Sequence, residues 1–234
     1  MSDMNIRALL GRGREWLGQM RLGAGADNSA GSFSLLALRL ERDLPRQGRG
    51  RSILVAATDD DAVGVEATLE LAWCLAEELG HSVLLVDGAL DVRALSAALG
   101  HAEQPGLVEL LDTPIHDQAT LRSVVQPTLH ERIAVLPHGN GAGDRATRAE
   151  AIRDLLAAAC NHYGFVLVHG SILVEGSRSM AFSSLVDAAL LIAVEEKTTL
   201  DQVTRGQRLL NDCGASRVAL VLANPQHVRR SNGR

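Results

Sequence analysis

The stretch SILVAATDDDAVGVEATLELAWCLAEELGHSVLLVDG, residues 52–88, decides the fold. It opens on the apolar run Ser52–Thr58 and passes through three consecutive aspartates, Asp59, Asp60 and Asp61. Apolar residues then fall at helical spacing as far as Leu79, and a second apolar run ends at Asp87 and Gly88. An uninterrupted apolar run of this length predicts a strand buried on both faces, and strand, turn, helix, strand in that order is a crossover unit of a parallel sheet. The pattern recurs in RIAVLPHG (132–139), RAEAIRDLLAAACNHY (148–163), FVLVHG (165–170), AALLIAVEE (188–196), TLDQVTRGQRLLNDCG (199–214) and RVALVLAN (217–224). The expectation is an α/β fold with a doubly wound, mostly parallel sheet. Ligands of such sheets bind beyond the carboxyl ends of the strands, so the turns after Thr58, Asp87, Pro137, His169, Glu195 and Asn224 are the ones to inspect.

Composition narrows the function classes. The chain has 234 residues, 46% of them hydrophobic, enough for one large domain with an extension. No apolar stretch is long enough to span a bilayer and no signal-peptide core is present, which predicts a cytoplasmic protein. A net charge of −5 argues against nucleic-acid binding. The cysteines Cys74, Cys160 and Cys213 have no metal or disulfide spacing and read as small buried residues. Of 23 basic residues only Lys197 is a lysine, so no lysine is expected to serve a phosphate loop.

The N-terminal segment 1–32 alternates apolar residues with arginines and ends in the linker-like GAGADNSAGS (23–32). Arg7, Arg12, Arg14, Trp16 and Arg21 form a basic amphipathic set suited to an anionic membrane surface or a partner helix. Residues 33–50 read as a helix and basic linker, 51–225 as the main domain and 226–234 as a polar tail.

Strand by strand, residues 33–224 resemble the cytoplasmic domain of the bacterial tyrosine kinases (BY-kinases) of capsule and exopolysaccharide systems, relatives of the MinD/ParA ATPases. SILVAAT, LAWCLAEELGHSVLLVDG, PGLVELLD (105–112), IAVLPHGNG (133–141), YGFVLVHG, DAALLIAVEEKTT and VALVLAN carry the resemblance. It implies a P-loop NTPase sheet of MinD/ParA type with an N-terminal helical extension. The family's phosphate loop, Gly-Glu-Gly-Lys-Ser/Thr-Thr, falls on Ala62, Val63, Gly64, Val65, Glu66 and Ala67, where only Gly64 matches. A phosphate loop works through a nest of backbone N–H groups, a lysine on the phosphates and a hydroxyl on Mg²⁺; here Val65 brings no charge and Glu66 brings the wrong one. The second acidic motif keeps Asp87 but has Ala89 for its other carboxylate. His169 stands where the family's Walker B strand ends in aspartate, and a neutral histidine is a poor Mg²⁺ ligand. The Tyr-rich tail is missing, the lone Tyr163 reads as structural, and the ring-assembly motif would fall on Gly31, Ser34 and Ala37, matching nowhere. Asp87 and Asn224 remain as candidate nucleotide contacts.

The resemblance, with these losses, implies a non-catalytic pseudokinase or pseudo-ATPase of exopolysaccharide synthesis or export at the inner membrane face, requiring no cofactor. Its implied partners are a membrane-embedded polysaccharide chain-length or co-polymerase protein or an intact BY-kinase paralogue, with oligomers an option. The alternative is an atypical ATPase or tyrosine kinase using ATP and Mg²⁺ at a rebuilt site, or a MinD/ParA-like positioning protein. Two lesser alternatives are a metal site from Asp59, Asp60, Asp61, Glu66, Asp87 and Asp91, and a hydrolytic constellation of His138 or His169 with Ser171 and Asp87.

Overall fold

A computed structural model describes residues 20–21, 29–44, 48–90, 92–112, 118–141, 148–174 and 177–223. Every long apolar run predicted as a strand is one. The sheet comprises β1 (Met20–Arg21), β2 (Arg51–Ala57), β3 (Val83–Asp87), β4 (Gln126–Pro127), β5 (Ile133–Leu136), β6 (Phe165–His169), β7 (Ala188–Val194) and β8 (Val218–Ala223). Their spatial order is β1-β8-β7-β2-β6-β3-β5-β4, and all pairs are parallel except β4 with β5.

Alternate side chains of each central strand enter two separate cores, as a sheet covered on both faces requires. Ile53, Val55, Leu85, Leu167 and Leu190 pack on one face with the helices α1 (Ser29–Asp43) and α2 (Asp61–Trp73), the latter extended by a π turn over Cys74–Glu78. Leu54, Leu84, Val168 and Leu191 pack on the other with α4 (Leu107–Asp112), α6 (Ala149–Cys160) and α7 (Leu200–Asp212). The short α3 (Ala94–Ala98) and α5 (Gln118–Arg122) complete the α-helices among the described residues.

Two expectations are corrected. Helix α1 begins at Ser29, inside the stretch read as linker, because one glycine costs a helix only about 1 kcal/mol against the burial of Phe33, Leu36, Ala37 and Leu40. Cys213 is exposed where a buried residue was expected, since it follows α7 at a helix end, whereas Cys74 and Cys160 are buried.

Strand order places β6, β2 and β7 side by side, so the turns leaving their carboxyl ends are neighbours. That adjacency assembles the candidate site.

Candidate functional site

The three aspartates after β2 are held by the chain's own groups. Asp59 Oδ1 accepts from the Thr58 hydroxyl at 2.9 Å and from the Thr198 hydroxyl at 3.1 Å. Asp60 caps α2, accepting from the Ala62 N–H at 3.1 Å, and its other oxygen takes the Lys197 ammonium at 2.8 Å. Lys197, and after it the Ala62 and Val63 N–H groups, hold the Asp60 carboxyl below the usual carboxylate range against the opposing effect of burial. Asp61 Oδ1 lies 3.5 Å from His169 Nε2. That spacing satisfies an ion-pair distance, yet the alignment gives neither atom a hydrogen bond, so we read the pair as contact without a formed bond.

Lys197 therefore reaches the loop after all, from the turn between β7 and α7, but its charge is spent on Asp60. Glu196, at φ 64, adopts the left-handed conformation just before it, and the next residue, Thr198, bonds the Val194 N–H at 2.8 Å. The sequence placed this turn on the ligand edge; it did not show that the turn folds onto the acidic loop.

The six phosphate-loop positions all lie within α2, which starts at Asp61, rather than in a loop ahead of it. Val65 is buried in the core, and so are Val63 and Ala67. Gly64 has a packing reason: a Cβ there would meet His169 Cε1 at 3.2 Å and Ala57 Cβ at 3.3 Å. The fully buried His169 ring thus fills the space between the first turns of α2 and the end of β6, with Nδ1 3.5 Å from the Thr68 hydroxyl.

Asp87 is fully buried at the end of β3, opposite His169 in the parallel register. Its Oδ2 accepts from the Ser96 N–H at 2.8 Å and the Ser96 hydroxyl at 2.6 Å, while Oδ1 has no partner. Ser96 Oγ in turn accepts from the His138 N–H at 2.8 Å, tying β3, α3 and the turn after β5 together.

The residues present do not fit a Mg²⁺-nucleotide. The N–H groups at the start of α2, which would receive a phosphate, face the Asp60 carboxylate. Among the described residues no group of three or more His, Cys, Asp or Glu side chains is arranged to hold a metal ion; Asp91 lies outside them. The hydrolytic constellation is not assembled either. Ser171 bonds Ser177 at 2.9 Å and Ser179 at 3.3 Å, and Asp87 is taken by Ser96. Asn224 and the N-terminal residues Arg7, Arg12, Arg14 and Trp16 lie outside the described residues, and of Arg21 only the backbone pairing with Leu222 is described.

One residue that sequence reasoning passed over is Glu109. Its carboxylate accepts from the N–H groups of Gly106 at 2.7 Å, Asn140 at 2.7 Å and Gly141 at 3.0 Å. Burial alone would raise its carboxyl, but these N–H donors outweigh that and hold it below the ordinary range. The motifs PGLVELLD and IAVLPHGNG are thereby bonded to each other, with Leu107 N–H to Pro137 O at 2.8 Å and Val108 N–H to His138 O at 2.9 Å.

No protein-family model matches the chain, and no curated protein matches its sequence. Solved structures do match. The kinase domain of Escherichia coli tyrosine kinase ETK superposes with a TM-score of 0.74 at 19% identity, over 91% of this chain and 81% of that one. The BceF tyrosine kinase domain gives 0.69 at 17% identity, over 93% and 85%. The cell division ATPase MinD of Pyrococcus furiosus gives 0.60 at 20% identity, over 74% and 71%. The chain has the P-loop NTPase fold of the MinD/ParA type. Within that fold its layout is that of BY-kinase cytoplasmic domains.

Proposed function

We propose that this chain is a non-catalytic protein on a BY-kinase scaffold, supporting exopolysaccharide synthesis or export through protein contacts at the cytoplasmic membrane face. The observation that carries the reading is the start of α2, where Asp60, clamped by Lys197, presents a carboxylate to the N–H groups that would otherwise cradle a phosphate. Val65 in the core and His169 in the adjoining space support it, since Val65 offers a triphosphate no cation and His169 offers Mg²⁺ no oxygen. The partner would be the cytoplasmic part of a membrane-embedded chain-length or co-polymerase protein, or an intact kinase paralogue. No helix among the described residues is long and apolar enough to cross a membrane, so membrane contact falls to the basic N-terminal segment. Assay of the purified chain for ATP hydrolysis and autophosphorylation tests the reading: no turnover is expected, while turnover that disappears in a His169→Ala variant would replace it with the rebuilt-enzyme reading.

A further inference from the structure

A cavity of about 310 Å³ opens at the edge of the sheet opposite the acidic loop, where β2 and β6 begin and α6 ends. Arg49, Arg51, His81, Asn161 and His162 contribute to its lining, and no carboxylate does. In a protein of net charge −5 such a lining sets this edge apart.

The basic side chains are fixed from behind. Arg51 is buried; its guanidinium donates to the carbonyls of Leu44 at 2.9 Å and Glu41 at 2.9 Å and lies 5.0 Å from the centre of the Phe165 ring. His81 Nε2 is 2.9 Å from Glu41 Oε1. Arg49 is held by Asp187, with contacts of 3.2 Å and 2.8 Å, and donates to the Gly50 carbonyl at 3.1 Å. Those bonds use three of the five N–H donors of a guanidinium, Cys160 in the cavity wall is a further side-chain partner of Arg49, and the side chain is 36% exposed. Asp187 is anchored independently by the Ser52 N–H at 2.8 Å and the Ser52 hydroxyl at 3.1 Å, which keeps the Arg49 fork in place. Gly50 admits the close approach of the wall, since a Cβ there would run into the Tyr163 carbonyl.

The geometry points to a binding site for a small oxyanion ligand, a phosphate or carboxylate group on a compact body, gripped by the remaining Arg49 donors. A rigidly held guanidinium is suited to planar or tetrahedral oxyanions because little side-chain entropy is left to lose on binding. The site is independent of the acidic loop and of the function proposed above.

The test is titration of the full ¹⁵N-labelled chain with inorganic phosphate and, separately, with citrate, following the amide signals of Gly48, Gly50 and Gly164. The expected result is a saturable shift of these signals that weakens about tenfold or more in Arg49→Gln, as loss of a charge-assisted bond implies. Arg49→Lys, which keeps the charge but loses the fork, should fall between the two. Response to phosphate alone identifies a phosphorylated ligand, and response to citrate alone identifies a carboxylate. No saturable shift with either anion, or binding unchanged in Arg49→Gln, overturns the assignment.

Discussion

Asp60 does two things at once: it caps α2 and receives Lys197. Its replacement by alanine should destabilise the chain by about 1 kcal/mol, the ordinary cost of a lost cap, measured by urea denaturation. Asn at the same position should keep most of the cap while losing the ion pair. Because the folded carboxyl sits below its ordinary value, the stability it contributes is present above the unfolded pKa of about 4 and is lost as pH falls through the folded one. An acid titration of stability should therefore be shallower in Asp60→Asn than in the parent; equal slopes would mean the carboxylate is not clamped. His169 and Gly64 form a second testable pair. Their contact predicts that Gly64→Ala costs less stability in a His169→Ala background than in the parent, and a double-mutant cycle with zero coupling would show that the ring does not pack there.

At the scale of elements, Glu109 joins α4 to the turn after β5. Glu109→Ala should cost about 1–2 kcal/mol, low in the range for bonds to a charged group because the carboxylate is partly exposed, and the loss should show in thermal denaturation at neutral pH. At a pH well below the carboxylate range the two proteins should converge, since the folded carboxyl is held low and protonation removes the advantage. The elements show how far a sequence can be read. Uninterrupted apolar runs announced β2, β3, β5, β6, β7 and β8, because strands buried on both faces leave no room for polar residues. Met20–Arg21, read with the amphipathic N-terminal segment, instead forms the edge strand β1, while the two-residue β4, the helix α5 and the 3₁₀ turn over Arg178–Phe182 carried no periodicity to read. The departures from the phosphate-loop pattern at Val65, Glu66 and His169 were legible in the sequence. The contacts made by Asp59 and Asp60 were not: Lys197 and Thr198 lie more than a hundred residues from them, and only the β6-β2-β7 order brings them together.

For the whole molecule, the fold and its chemistry separate. The sheet keeps the order and helical cover of a P-loop NTPase, with a BY-kinase layout across about nine-tenths of the chain, while Asp59 and Asp60 after β2 are held by internal contacts to Thr198 and Lys197. The most direct measurement is calorimetric titration of the full chain with ATP and ADP, with and without Mg²⁺. The account predicts no binding heat at millimolar nucleotide; saturable binding at micromolar concentration would contradict it and require that Asp60 and Lys197 part to admit a phosphate.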